Sequence, residues 1–175
     1  MDKPWYCTLF RRRQKSDLQT TTAKADQGDS DAQFRLGLMF SSRGGEGQDY
    51  VQAAQWYLKA ANLDHSLAQF NLAQMYAKGQ GVARNEGEAV MWMRKAADHG
   101  DAGAQFELGT RCHRSSVSSL EGDAAEFRIE SYKWFHLAAA QGYNRAGAAC
   151  ERVNLDMSSE EVVEGEHRIA LFAPA

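Results

Sequence analysis

The sequence predicts an all-α protein built as a solenoid, in which helix pairs repeat along the chain and capping helices close the two ends. Three observations carry this expectation. The blocks "AQFRLGLMFSS" from Ala32, "AQFNLAQMYAK" from Ala68 and "AQFELGTRCHR" from Ala104 start 36 residues apart, and fixed-period self-similarity on that scale marks a repeat architecture. A second block, "AAQWYLKAA" from Ala53 to Ala61, lies over "AVMWMRKAA" from Ala89 to Ala97 at the same offset, so that Trp56 matches Trp92 and Lys59 matches Lys95. Both blocks carry a helical stripe: Ala68, Leu72, Met75 and Tyr76 in the first, Ala89, Trp92, Met93, Ala96 and Ala97 in the second. Neither stripe can be buried by its own helix, so stacking must supply the core.

Taken in order, residues 1–27 form an N-terminal segment and a capping half-repeat. The segment "AKADQGDSDAQF" from Ala23 aligns with "KAADHGDAGAQF" from Lys95, which makes Ser16 to Gln27 a lone second helix with Thr20 at the tryptophan position. Its outer side is polar, as a terminal helix without a neighbour requires. Repeat 1 spans 28–64 and repeat 2 spans 65–101. Repeat 3 covers 102–142, where "SYKWFHLAA" places Trp134 42 residues after Trp92; the six additional residues are expected in the loop "RSSVSSLEGDAAEFR". Residues 143–175 form the C-terminal cap. There "NRAGAACERVNLDM" supplies one helix, and Ser158 with Glu161 forms a capping box that opens a last helix through about Phe172.

The glycines of "AKGQGVARNE" raise a separate question, because a Gly-x-Gly loop also suits a phosphate. A phosphate loop needs its glycines between a strand and a helix N-terminus. Gly79 and Gly81 instead follow a helix, where left-handed backbone ends it, and Asn85 is placed to cap the next one, as Asp49 is one repeat earlier. The loop is therefore read as a corner.

Composition narrows the function. The chain has 175 residues, 43% of them apolar, and a formal net charge of -3, consistent with one domain that lacks a global polyanion-binding surface. Cys7, Cys112 and Cys150 show no disulfide or zinc spacing. No run approaches a membrane span, and the charges at the start follow a short apolar patch rather than precede it, so a cytoplasmic protein is expected.

These residues carry a family resemblance. The pattern Ala-x-x-x-Leu-Gly-x-x-Tyr, then Gly-x-Gly-Val, then Ala-x-x-Trp-x-x-Lys-Ala-Ala-x-x-Gly resembles the Sel-1-like repeat, a relative of the tetratricopeptide repeat. It covers about residues 28 to 142. Repeat 2 matches it through Leu72, Tyr76, Gly79, Gly81, Val82, Ala89, Trp92, Lys95, Ala96, Ala97 and Gly100, with Ala73 in place of the usual glycine. Repeat 3 has Cys112 for the tyrosine and lacks the glycine turn, so its first helix is expected to end differently. The resemblance implies a right-handed αα superhelix whose members act as adaptors, with a concave wall lined by first helices. That wall would present Phe34 and Leu38, then Phe70, Gln74 and Lys78, then Phe106, Thr110, His113 and Arg114. The three phenylalanines read first as core between repeats, and the polar members of the wall as the contacts. Lys78 and Arg114 occupy matching positions, which suits an acidic peptide or protein segment as partner.

No cofactor, metal or catalytic set is expected. His65, His99, His136 and His167 show no i, i+4 metal pair, and His113 beside Cys112 points away from it on a helix. Two other readings stay open at this level. One is a scaffold tethered to an acidic membrane or nucleic acid through Arg11 to Arg13, beside Trp5, Tyr6, Leu9 and Phe10; neither contact is expected, because the same segment also reads as a cap over the first helix. The other is a hydrolase like the cysteine-rich relatives, whose regularly paired cysteines this chain lacks.

Overall fold

The computed structural model describes residues 18–42, 49–118 and 121–172, and these form helices joined by short turns. The readings placed on Trp5, Tyr6, Leu9 and Phe10 and on Arg11 to Lys15 lie outside them. Helical backbone over 18–26 is α1. It is followed by α2 (Ser30–Ser42), α3 (Tyr50–Ala61), α4 (Ser66–Lys78), α5 (Glu86–Asp98), α6 (Ala102–Ser118), α7 (Glu121–Ala140), α8 (Ala146–Leu155) and α9 (Ser159–Ala170). The fold class is all-α, the αα solenoid of helix pairs that the period predicts. The chain divides into two compact units, Met1–Ala89 and Val90–Ala175.

In the first unit the repeated residues have recognisable work. Leu36, Ala53, Ala60, Ala68 and Leu72 are buried, and Ala25, Ala32 and Leu36 form a cluster against which Leu18, Met39, Phe40 and Trp56 pack. Gly37 is set by close approach: a methyl group there would lie 2.5 Å from the Tyr57 ring. In the second repeat both register positions change together, with Ala73 at the glycine position and the ringless Met93 at the aromatic one. Lys59 sits 3.8 Å over the Trp56 ring, which accounts for their shared spacing as a cation–π pair on one helix face.

Side chains cap the starts of α2 to α5. Asp29 accepts from the Ala32 N–H, Asp49 from Gln52, His65 through Nδ1 from Ala68, and Asn85 from Glu88. The glycine corner closes on α4 itself. Gly79 takes a left-handed φ of 69°, and both its N–H and that of Gln80 donate to the Met75 carbonyl, while Asn85 donates to Tyr76. Those three N–H groups are spent on the helix end rather than aimed at an anion. Gly81 has no room for a side chain, since a Cβ would lie 2.1 Å from the Tyr50 carbonyl oxygen.

A buried glutamine clamps each first helix to the helix before it. Gln33, Gln69 and Gln105 donate from Nε2 to the carbonyls of Ala25, Ala61 and Ala97 at 3.0, 3.1 and 3.2 Å. These carbonyls lie at the C-terminal ends of second helices, where the helix itself offers no donor. The glutamine of the recurring "AQF" triplet is thus structural, and its retention beside buried Ala32, Ala68 and Ala104 was the available signal.

The second unit departs from the expected loop. The six additional residues of repeat 3 extend helices rather than a loop: α6 has 17 residues and α7 has 20, against 13 for α2 and 12 for α3. Two causes are visible. No glycine stands directly after Arg114 to end α6 as Gly79 does after Lys78, and the added stretch carries buried Ala124, with buried Ile129 just beyond it. The extension is also tied down: Arg128 forms a two-point ion pair with Glu161, and Arg168 reaches Glu126 at 2.6 and 3.0 Å, Glu130 at 3.0 Å and Glu164 at 2.8 Å. These pairs join α7 to α9. Below them Tyr132, Phe135 and Val153 form the buried cluster, flanked by Phe106, Ala149, Cys150, Met157 and Ile169. The capping box of Ser158 and Glu161 is present, and α9 ends at Ala170, slightly short of Phe172.

Candidate functional site

The wall residues named from the sequence are described unit by unit. In the first unit Phe34 is half-buried, its ring stacked on His65 at 4.6 Å and tilted against Tyr57 at 5.9 Å. Phe70 and Gln74 are half-buried, while Leu38 and Lys78 are exposed. Lys78 Nζ donates to Gln74 Oε1 at 2.9 Å one helical turn away. The two therefore present one amide-bearing, positively charged patch.

In the second unit Phe106 is half-buried between Phe135 and Tyr143, at ring separations of 5.4 and 5.1 Å. Thr110 turns its hydroxyl inward to the Phe106 carbonyl, which leaves its methyl as the group on offer. His113 is half-buried, with a buried Nδ1 that has no hydrogen-bond partner among the described residues, and Arg114 is exposed. Phe34 and Phe106 thus have aromatic neighbours within their own units.

Register and exposure together separate these positions. The columns Ala32, Ala68, Ala104 and Leu36, Leu72, Leu108 are buried and do not vary. The column Ser42, Lys78, Arg114 is exposed in all three repeats and differs in each.

Neither described cysteine is activated as a nucleophile. Burial first, and then the nearby Glu130 carboxylate, push the Cys112 thiol up to about 11, so it stays protonated at neutral pH and is a poor nucleophile. Cys150 is likewise raised by burial. Glu130 is committed structurally, accepting from Trp134 Nε1 at 3.1 Å as well as from Arg168. Among the described residues no group of His, Cys, Asp or Glu is gathered for a metal, and no helix is long and apolar enough to cross a membrane.

Comparison with known proteins accords with this architecture. The Sel1 repeat profile matches residues 30–65, 66–101 and 102–143. Among solved structures, a protective antigen of uropathogenic Escherichia coli with an SLR fold is 29% identical, with a TM-score of 0.71 over 89% of this chain and 32% of that one. This chain therefore spans under a third of that antigen. A Sel1 repeat protein from Oxalobacter formigenes is 31% identical, with a TM-score of 0.65 over 78% of this chain and 98% of that one. No curated protein matches the chain. With three consecutive repeat matches and the helix pairs that they require, this chain belongs to the Sel1 repeat family.

Proposed function

We propose that this protein is a non-catalytic adaptor that holds a protein or peptide segment on the wall of its first helices. Sel1 repeats generally mediate protein–protein interaction. The observation that carries it further is the contrast between columns. The buried columns Ala32, Ala68, Ala104 and Leu36, Leu72, Leu108 are the same in every repeat, whereas Ser42, Lys78 and Arg114 share a register, face solvent and differ. Stacking gives no reason for that variation, and a specific partner does. The two cations in this column favour acidic groups on the partner.

Affinity capture of a partner from the source organism, quantified with Lys78→Glu and Arg114→Glu singly and together, tests this. Each single reversal is expected to weaken capture. The double change should weaken it at least tenfold, about 1.4 kcal/mol, at an unchanged melting temperature because both side chains are exposed. Unchanged capture by the double variant would move the binding surface off these helices.

A further inference from the structure

The turn that leads from α3 into α4 departs from its counterparts at two successive positions. Gly28 and Asp29 precede α2, and Gly100 and Asp101 precede α6, whereas Asp64 and His65 stand at the same register before α4. Asp64 takes the left-handed backbone of the two glycines, with φ 59° against 91° and 84°, so the turn keeps its shape. The cap keeps its place and changes its chemistry. Asp29 and Asp101 accept from the Ala32 and Ala104 N–H groups through a carboxyl oxygen, at 2.9 and 2.7 Å, whereas His65 accepts from Ala68 through Nδ1 at 3.3 Å.

An imidazole nitrogen accepts a hydrogen bond only while it carries no proton. The surroundings of the ring agree with that form. With Nδ1 accepting, the single ring proton sits on Nε2, which lies 3.2 Å from Asp31 Oδ1 on α2. The side chain is only 11% exposed, and its ring is stacked on Phe34 at 4.6 Å. A second proton would set Nδ1–H against the Ala68 N–H, donor to donor, and leave that amide only the His65 carbonyl at 3.0 Å. Little nearby offsets this conflict. Asp31 faces the ring from α2 but is 79% exposed, where an ion pair contributes little. Asp64 adjoins it in the turn. From the last turns of α3 come Lys59, which lies over the Trp56 ring, and Tyr57, whose hydroxyl meets Ser41. The first turn of α4 has no acidic residue, and the positive end of a helix disfavours a cation at its cap.

We propose that His65 is a pH-sensitive cap: the neutral imidazole closes the α3–α4 turn, and the imidazolium releases the first turn of α4. Histidine is the side chain whose charge ordinarily changes between about pH 5 and 8. A carboxyl group, by contrast, retains an acceptor oxygen in either protonation state. The switch therefore belongs to α4 and not to α2 or α6, and acid loosens the joint between the first two repeats. It rests on the geometry of this turn and not on what the wall of first helices binds.

Heteronuclear NMR of the full 175-residue chain between about pH 8 and pH 5 tests this. At the alkaline end His65 should carry its proton on Nε2 and none on Nδ1. As the ring takes its second proton, the exchange protection factor of the Ala68 amide should fall by about threefold or more, with the midpoint of the His65 ring signals. Asp31→Asn should preserve that fall, because the cap and not the ion pair drives it. His65→Asp, which copies the cap of α2 and α6, should keep Ala68 protected across the range. Four results would overturn the proposal: a proton on Nδ1 at the alkaline end, Ala68 protection that does not follow the His65 ring, an equal fall in His65→Asp, or loss of the response in Asp31→Asn. The first two are read on the parent chain, so the proposal stays falsifiable even where a variant does not fold.

Discussion

Gly37 and Tyr57 show how a single repeat position is decided. The absent side chain on α2 is the space occupied by the ring on α3, and the same relation holds in the second unit, where a methyl group on Gly109 would lie 2.7 Å from the Phe135 ring. Gly37→Ala should therefore cost about 1–3 kcal/mol through overpacking. Tyr57→Met, which copies the second repeat, should recover part of that loss in the Gly37→Ala background even though it gives up the Tyr57 contact with the Ser41 hydroxyl at 3.1 Å. Urea melts of the four-member cycle check this, with a coupling of at least about 0.5 kcal/mol expected; additive losses would refute the steric account. Leu-Gly was legible in the sequence as a repeated dipeptide. Its dependence on an aromatic residue of the following helix was not, because periodicity marks which residues recur and not which atoms they meet.

At the scale of elements, the docking of α9 on α7 is electrostatic as well as apolar. The Arg168 guanidinium holds the Glu126 carboxyl below its ordinary value of 4.5, and Arg128 does the same to Glu161. A carboxylate with a depressed folded value contributes stability above its unfolded value and loses it as pH falls through the folded one. Glu161, with only 12% of its side chain exposed against 56% for Glu126, should carry the larger share. Melting temperature should thus fall more steeply below about pH 5 in the parent than in Arg128→Gln with Arg168→Gln, and parallel curves would show that these pairs contribute nothing. The caps at Asp49, Asn85 and Ser158 were readable because capping is local in sequence. The helical extension of α6 and α7 was not, since its partners Glu161 and Arg168 lie 33 and 42 residues away.

For the molecule as a whole, the tryptophan column sets the stability of the stack. Trp92 is buried at 5% exposure, with Lys95 at 4.5 Å over its ring, whereas Trp56 is half-buried. Trp92→Ala should cost about 3–5 kcal/mol, as large aromatic truncations in cores do, and Trp56→Ala should cost less. Denaturant melts that give Trp92→Ala a loss under about 1 kcal/mol would contradict the two-helix repeat.

The sequence by itself determined the period, the helix pairs, the caps and the reading of Gly79 as a corner. Each of these arises from contacts within a helix or turn, or from a stripe that every repeat must bury in the same way, so it is written in the chain as recurrence. Only the tertiary structure decided the rest: the glutamine bonds to Ala25, Ala61 and Ala97, the helical fate of the insertion, and the space Gly37 leaves for Tyr57. Those features depend on which atoms face one another across the fold, and a pattern of residue types does not encode that distance.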